Sequence, residues 1–256
     1  MYQIIQYIKF LFKSTNQHGV HSPFVYDLVT KCFYDKSKYA AYKDILNYKK
    51  SLLKSKAKIK VTDLGAGSQV MKQQERSVSK IAKHAGTSNK RAKLLYRLTN
   101  YFKPENVLEL GTSLGIATHA ISLGNNKTTI TTIEGCSNTS QFSKENLKSF
   151  QVKNTHLITG NFNTEIKKLT SNNYDFIFFD GNHQKEATLT YFETLLEKAN
   201  NDSVFIFDDI YWSSEMTEAW ETIKKHPKVT VTMDTFFWGF VFFRKEQNKE
   251  HFTIRV

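Results

Sequence analysis

The strongest constraint on the fold is a strand-like run that leads directly into a turn flanked by glycines. Residues 107–110 read Val-Leu-Glu-Leu, residues 111–115 read Gly-Thr-Ser-Leu-Gly, and the helix-like stretch 116–123 follows. Glycine permits backbone conformations that other residues avoid and lets the backbone approach a ligand closely. A helix that begins after such a turn directs its unpaired N–H groups toward a bound polar group. The pattern therefore predicts a ligand-binding turn at the end of a strand.

Acidic residues end two further strand-like runs. Glu134 follows residues 129–133, about twenty residues after the glycine turn, where an open α/β sheet places a carboxylate that binds a ribose. Asp180 closes the run at residues 174–179. Because ligands of open α/β sheets bind beyond the carboxyl ends of the strands, these groups are predicted to line one crevice.

The order of elements predicts a mostly parallel sheet with helices on both faces. Strand and helix patterns alternate after a long helix over residues 77–102, which Pro104 ends. Two final β runs, 229–237 and 238–244, are joined too tightly for a crossover helix and are therefore predicted to be antiparallel to each other. The other predicted strands are 106–110, 129–134, 154–159, 174–180 and 203–208, and the helices between them are 116–123, 139–149, 163–170, 185–199 and 215–225.

The first part of the chain predicts a mainly helical extension, residues 1–76, ahead of a domain over residues 77–256. Apolar residues have helical spacing over 3–14 and again over 22–34, where Ser22 has the character of an N-cap followed by proline.

Two segments later in this extension are less regular. Residues 36–60 are lysine-rich and weakly periodic, compatible with a mobile helix or a disordered arm. A glycine cluster at residues 63–68 lacks a following apolar helix, so we interpret it as a loop that folds over the crevice, with Arg76 as an anion contact.

Composition narrows the classes of protein. No apolar run is long enough to span a membrane, and the apolar start at residues 4–12 is interrupted by Gln6 and Lys9. It predicts an amphipathic helix of a cytoplasmic protein without a membrane partner, not a signal peptide. Cys32 and Cys136 lie far apart, which argues against a disulfide framework or a thiolate zinc site.

Charge is distributed unevenly along the chain. Positions 1–105 hold 21 basic and 6 acidic residues, a net charge of +15, within a chain whose total is +12. Such a basic segment is compatible with binding to nucleic acid. However, only five of the 36 basic residues are arginine, the residue on which phosphate and base recognition draws most heavily. We therefore favour a lysine-rich background composition as the explanation.

The order of elements and the strand-end residues resemble the class I S-adenosylmethionine (SAM)-dependent methyltransferases, whose Rossmann-like, seven-stranded sheet contains one antiparallel strand. The resemblance covers residues 77–245 and implies SAM as cofactor. It assigns the methionine part of SAM to the turn after the first strand and the two ribose hydroxyls to Glu134, because a carboxylate accepts two hydrogen bonds. It assigns the adenine to Asn161. The cofactor-binding residues implied are Glu109, Gly111, Thr112, Ser113, Glu134, Gly135, Asn161 and Asp180.

The closest resemblance is to metal-dependent O-methyltransferases of the catechol and macrocin types. In those enzymes one carboxylate after the fourth strand and two oxygen ligands after the fifth hold magnesium, which implies Asp180, Asp208 and Asp209 as ligands here. Oxygen ligands suit a hard divalent cation. His183, three residues after Asp180, matches the position of the catalytic base. The alternatives are that Asp180 serves the cofactor alone and that Asp208 or Asp209 caps the following helix or faces solvent.

The resulting functional hypothesis is SAM-dependent O-methylation of a small or medium-sized acceptor that bears a hydroxyl group. His183 and Asp180 are the implied catalytic residues, and Trp212 is expected to line the acceptor pocket. Two alternatives remain open: an RNA methyltransferase that uses the basic first segment, and a non-catalytic protein that binds SAM. The sequence also leaves open whether the chain forms a homo-oligomer.

Overall fold

The computed structural model describes residues 1–62, 74–171 and 173–256. Its α-helices are α1 (Tyr2–Lys13), α2 (Pro23–Leu28), α3 (Ala41–Lys54), α4 (Val78–His84), α5 (Asn89–Phe102), α6 (Ile116–Gly124), α7 (Ser137–Ser149), α8 (Phe162–Glu165), α9 (Lys185–Leu196) and α10 (Ser214–Lys225). Its strands are β1 (Lys58–Lys60), β2 (Glu75–Ser77), β3 (Asn106–Leu110), β4 (Thr129–Glu134), β5 (Thr155–Thr159), β6 (Phe176–Phe179), β7 (Val204–Asp208), β8 (Val231–Asp234), β9 (Trp238–Phe242) and β10 (Glu250–Thr253). Short 3₁₀ turns occur at Gln17–Gly19 and Ile166–Lys168, and a π-helical turn at Val29–Phe33.

One mixed sheet organises the protein, in the strand order β10-β8-β9-β7-β6-β3-β4-β5. Strand β9 runs antiparallel to both of its neighbours, β7 and β8, while the other pairs are parallel. The predicted mostly parallel Rossmann-like sheet with one antiparallel strand is therefore confirmed. The structure adds an eighth strand, β10, at the edge beside β8. Phe252 is the one buried residue of β10, so this strand shows little hydrophobic periodicity in the sequence.

The central strands are apolar along their whole length because both of their faces are covered. Every residue of β6 and β7 is buried. Alternate residues point to opposite faces of a strand. Accordingly, Phe176 and Phe178 join the apolar cluster on one side of the sheet, whereas Ile177 and Phe179 join the cluster on the other.

The first segment packs on the sheet through its helices, which confirms the predicted helical extension. Helix α2 begins at Pro23, and Ser22 caps it by accepting a hydrogen bond from the Val25 amide. Residues 36–60, whose order the sequence left open, contain helix α3, and its Tyr48 is fully buried. The ring centroids of Phe33 and Phe240 in β9 lie 5.1 Å apart, so the extension and the sheet share a core. The boundary between residues 76 and 77 stays a prediction.

The helix predicted over residues 77–102 is divided into α4 and α5. Gly86 lies between them, and a Cβ atom there would come within 2.9 Å of the Ala82 carbonyl oxygen. Ser88 then starts α5 as its N-cap, accepting a hydrogen bond from the Arg91 amide at 3.2 Å. The glycine cluster at residues 63–68 lies outside the described residues. Arg76, expected to contact an anion, lies in β2 opposite Ile59. Within the described residues, no helix has both the length and the apolar character needed to cross a bilayer.

Candidate active site

The turn after β3 is held in conformations that favour glycine. Gly111, Ser113 and Gly115 have φ angles of 106°, 47° and 74°. A Cβ atom on Gly111 would clash with the carbonyl oxygen of Asp180, so a glycine is required where the ends of β3 and β6 meet. The Gly111 amide also donates to the Ile133 carbonyl at 2.9 Å, which ties the turn to β4. The glycine signature therefore reflects close backbone packing at the carboxyl edge of the sheet.

Glu109 lies fully buried beneath this turn. Its Oε2 atom accepts hydrogen bonds of 2.5 Å from the hydroxyls of Thr118 in α6 and Thr132 in β4. The Thr112 hydroxyl lies 2.6 Å from that of Thr132, and it is the donor when Thr132 donates to ionised Glu109. Burial raises the pKa of Glu109 to about 7. Its second oxygen, Oε1, is buried without a hydrogen-bond partner among the described residues.

Glu134 joins the turn to the loop that follows β4. Its Oε2 accepts from the Ser113 amide at 2.8 Å, and its Oε1 accepts from the Cys136 amide at 2.9 Å. Gly135 lies between Glu134 and Cys136 in the chain. These two hydrogen bonds hold the carboxylate in one orientation at the strand end, where it is predicted to bind a ribose. Because each carboxylate oxygen has two lone pairs, each can accept a further hydrogen bond.

A side chain from α3 supports the turn from outside. The Tyr48 hydroxyl donates to the Leu114 carbonyl at 2.8 Å, and its ring stacks on His119 with centroids 4.5 Å apart. A Cβ atom on Gly115 would come within 2.7 Å of the Tyr48 hydroxyl oxygen. Sequence analysis missed Tyr48, because only the packing of α3 on α6 brings it to the turn.

Asn161 occupies the end of β5 with its side chain engaged locally. Its Oδ1 atom accepts from the Asn163 amide at 2.9 Å and so caps helix α8. The side chain is exposed at the carboxyl edge of the sheet. The adenine contact expected of Asn161 stays a prediction.

Three carboxyl groups meet where the neighbouring strands β6 and β7 end. Asp208 and Asp209 both lie close enough to Asp180 for their negative charges to act on it. Burial and the Asp208 charge raise the pKa of Asp180 well above its usual range. Burial, followed by Asp208, raises the pKa of Asp209 to about 6. The three side chains therefore lie near one another at the ends of β6 and β7, and their roles as metal ligands stay predictions.

Two cationic groups partly balance this cluster. The Arg91 Nη1 atom lies 3.5 Å from Asp208 Oδ1, and its guanidinium carbon lies 4.2 Å from the centroid of the Phe237 ring. Both His183 and Arg91 act to lower the pKa of Asp209, against the larger effect of burial. Arg91 was missed in the sequence because nothing near the start of α5 indicates that this helix end reaches β7.

The loops that carry these groups are strained. Asn182, Asp209 and Phe236 have φ angles of 60°, 53° and 73°, in the region that non-glycine residues rarely adopt. Such residues often cluster at functional sites, where surrounding contacts hold them. Here the Asp209 amide donates to the Phe237 carbonyl at 2.8 Å. The His183 and Trp212 rings lie 6.3 Å apart, which brings the expected pocket residue to the expected base.

The chemistry of these three carboxylates favours a metal ion, whereas their arrangement does not by itself indicate one. Three crowded carboxylates, two of them with raised pKa values, supply the oxygen ligands that a hard divalent cation prefers. Yet no group of three or more His, Cys, Asp or Glu side chains within residues 1–62, 74–171 and 173–256 has the arrangement of a metal site. The chemistry of the donors fits magnesium, and the metal assignment stays a prediction.

Comparisons with known proteins extend this picture. Residues 108–210 match the family described as methyltransferase domain. This part of the chain is therefore similar to a methyltransferase domain. This match begins in β3 and ends just after Asp209, so it contains nearly all the site residues expected from the sequence, whereas Tyr48 and Arg91 lie outside it. A search of curated protein sequences finds no match to the chain.

Solved structures of methyltransferases are similar to this chain in fold. The SAH-bound methyltransferase PaMTH1 from Podospora anserina has a TM-score of 0.61 at 14% identity, covering 88% of this chain and 97% of its own. An O-methyltransferase from Bacillus cereus in complex with SAH has a TM-score of 0.56 at 17% identity, covering 83% and 97%. The SAM-bound O-methyltransferase TomG from Streptomyces achromogenes, involved in tomaymycin synthesis, has a TM-score of 0.52 at 18% identity, covering 60% and 79%. At these identities the likeness establishes the fold, and with the domain match over residues 108–210 it is consistent with the expected class I methyltransferase.

Proposed function

We propose that this methyltransferase transfers the methyl group of SAM to a hydroxyl oxygen of a small or medium-sized acceptor. The observation that carries the proposal is the cluster of Asp180, Asp208 and Asp209 beside the glycine turn. His183 lies near enough to this cluster to lower the pKa of Asp209. The similar proteins TomG and the Bacillus cereus enzyme, both named O-methyltransferases, support this choice of acceptor atom.

The turn side of the crevice, which we define as residues 109–115 with Glu134, would hold SAM. Glu109 Oε1 is an acceptor without a partner among the described residues. It would accept a hydrogen bond from the positively charged amino group of SAM, which can only donate. The fixed Glu134 carboxylate would take the ribose hydroxyls. Gly135, Asn161 and Asp180 complete the proposed set, with Asp180 facing both SAM and the acceptor.

The carboxylate side, which we define as Asp180, His183, Asp208 and Asp209, would activate the acceptor. His183 would accept the proton of the acceptor hydroxyl, and the negative charge of Asp209 would stabilise the resulting imidazolium. Trp212 would exclude water and hold the acceptor against His183. Positioning of the oxygen in line with the methyl group supplies most of the acceleration.

The proposal includes a magnesium ion, with Asp180, Asp208 and Asp209 as its ligands. When bound there, it would make an acceptor hydroxyl more acidic. Arg91, whose Nη1 atom lies 3.5 Å from Asp208 Oδ1, would compete with the cation for that carboxylate.

Isothermal titration with S-adenosylhomocysteine, run with magnesium and again with EDTA, tests this proposal. Micromolar binding in both conditions, together with a separate magnesium binding event, is the expected result. Absence of binding in both would overturn the proposed function. Methyl transfer from labelled SAM to a panel of catechols and other hydroxylated small molecules then tests the acceptor class.

The RNA-methyltransferase alternative rests on the net charge of +15 over residues 1–105 alone. It predicts RNA binding that falls steeply with salt, because phosphate contacts release counterions. Methylation of RNA but of no small hydroxyl compound would favour this alternative. A protein that binds SAM without catalysis would bind S-adenosylhomocysteine and methylate neither.

A further inference from the structure

Helix α1 is fixed to the domain through one of its faces. Phe10 is buried, with its ring centroid 5.6 Å from that of Phe236, and the Tyr7 ring lies 4.8 Å from the same residue. The Tyr2 hydroxyl donates to the hydroxyl of Thr217 in α10 at 2.8 Å. These contacts hold α1 against α10 and the loop between β8 and β9.

The opposite face of α1 is apolar and exposed. Ile4, Ile8 and Phe12 recur every four residues and so share a face of the helix, with Met1 and Ile5 beside them. Ile4 is 66% exposed and Phe12 is 88% exposed. Among the described residues, six of the ten exposed large hydrophobic side chains lie within residues 1–12. A concentrated apolar patch of this kind marks an interaction surface.

The charges around this face are of one sign. Residues 1–26 contain no Asp or Glu, while Lys9 and Lys13 in α1 are both exposed, one helical turn apart. Two copies that met through α1 would bring these lysines together with no acid from the same segment to pair with them. An anionic partner is therefore the electrostatically complementary one.

We propose that α1 docks this protein on an anionic lipid surface. Ile4, Ile8 and Phe12 enter the boundary between headgroups and acyl chains, and Lys9 and Lys13 contact the negatively charged headgroups. A helix with an exposed apolar face and lysines beside it lies in the plane of the interface in this way. The proposal adds a peripheral contact to a chain expected to have no membrane partner, because sequence alone did not reveal that α1 has a second, exposed apolar face. It is independent of the proposed methyl transfer.

Co-sedimentation of the full chain with phosphatidylcholine vesicles, with and without phosphatidylglycerol, tests the proposal at low and at high salt. We expect binding to the anionic vesicles alone, weakened by salt. The variant I4S/I8S/F12S should lose this binding, and K9Q/K13Q should lower it by about tenfold or more, because each lysine near an anionic surface contributes about fivefold.

Matched control variants lie on α3. Leu46 and Leu53 are exposed apolar residues, and Lys50 and Lys54 are exposed lysines with the same spacing as Lys9 and Lys13. The variants L46S/L53S and K50Q/K54Q should bind anionic vesicles as the wild type does. Thermal unfolding of every variant establishes that the domain is folded, and if I4S/I8S/F12S fails this check, K9Q/K13Q and the salt dependence decide.

Three outcomes would overturn the proposal. The first is a wild type that does not bind the anionic vesicles. The second is a loss of binding in the α3 variants equal to that in the α1 variants. The third is a wild-type dimer in light scattering that I4S/I8S/F12S dissociates while vesicle binding is absent or unchanged, which would make this face a surface for self-association.

Discussion

The turn side and the carboxylate side of the crevice are built on opposite physical principles. On the turn side, backbone amides and threonine hydroxyls stabilise Glu134 and Glu109, and Tyr48 supports the loop from outside. On the carboxylate side, like charges from β6 and β7 are brought together, with Arg91 and His183 as partial compensation. Apart from Glu109 Oε1, which has no hydrogen-bond partner among the described residues, the carboxylates of the turn side are thus satisfied by the protein itself. The carboxylate side, in contrast, holds excess negative charge that a cation or ligand would balance. Substitutions should therefore affect cofactor binding on the first side and catalysis on the second.

The largest effect is expected from H183A. Loss of a general base lowers turnover by about a hundredfold to ten-thousandfold. The affinity for S-adenosylhomocysteine should stay within about twofold, since His183 lies on the carboxylate side. Steady-state rates with an acceptor that the wild type methylates, together with titration of S-adenosylhomocysteine, measure both quantities. H156A, at an exposed position in β5, is the control, and equal turnover in H183A and wild type would remove His183 from the mechanism.

G111A should damage the turn side most strongly. A Cβ atom there meets the Asp180 carbonyl at a φ of 106°, so strain and overpacking should lower the free energy of unfolding by about 2–4 kcal/mol. Binding of S-adenosylhomocysteine should be lost as well. Urea unfolding and calorimetric titration measure these changes. G160A is the matched control, because its Cβ meets the flexible Glu165 side chain, and a G111A variant as stable as G160A would contradict the packing argument.

E109Q removes the ionisable group of Glu109 and leaves a side chain of nearly the same shape. Burial raises the folded-state pKa of Glu109 from 4.5 to about 7, so its protonated form is favoured by folding. The stabilisation is complete below about pH 4.5 and is lost as the pH rises through about 7. Wild type should therefore lose up to about 3 kcal/mol relative to E109Q between these limits. Urea unfolding at a series of pH values measures the difference, and parallel curves for the two proteins would refute it.

Y48F tests whether the extension stabilises the turn. The substitution leaves the Leu114 carbonyl without its buried donor, which should lower the free energy of unfolding by about 1–2 kcal/mol. The change should also weaken S-adenosylhomocysteine binding by a few fold. Y26F, at an exposed tyrosine, should change neither quantity. An unaltered Y48F protein would show that α3 has no part in holding the turn.

R91Q addresses the charge imbalance of the carboxylate side and has the smallest expected effect. Removal of a positive charge 3.5 Å from Asp208 should strengthen the binding of Mn²⁺ or Mg²⁺ by about threefold to tenfold. Calorimetric titration of the cation measures this, with K90Q as the control at an exposed neighbouring position. Weaker cation binding in R91Q than in K90Q would contradict the view that Arg91 and a metal ion share the carboxylates.

Several site residues were visible in the sequence because their signals are local. Glu109, Gly111 and Ser113 lie in one strand-turn-helix unit, and Asp208 and Asp209 end a strand with unbroken apolar character. Tyr48 and Arg91 gave no such signal, since each reaches the site from a helix distant in the chain. The small edge strand β10 and the division between α4 and α5 were also missed, because four residues or a single glycine leave too little periodicity.

The sequence by itself determined the alternation of strands and helices, the antiparallel β9 and the strand-end residues that mark the crevice. It could do so because hydrophobic periodicity and glycine positions act over a few residues. The tertiary structure alone decided which distant groups face one another: Tyr48 on the turn, Arg91 on Asp208, and one exposed face of α1. These contacts depend on the packing of helices that are distant in the chain, which burial, charge and shape complementarity determine. The local sequence pattern around each residue does not indicate its partner.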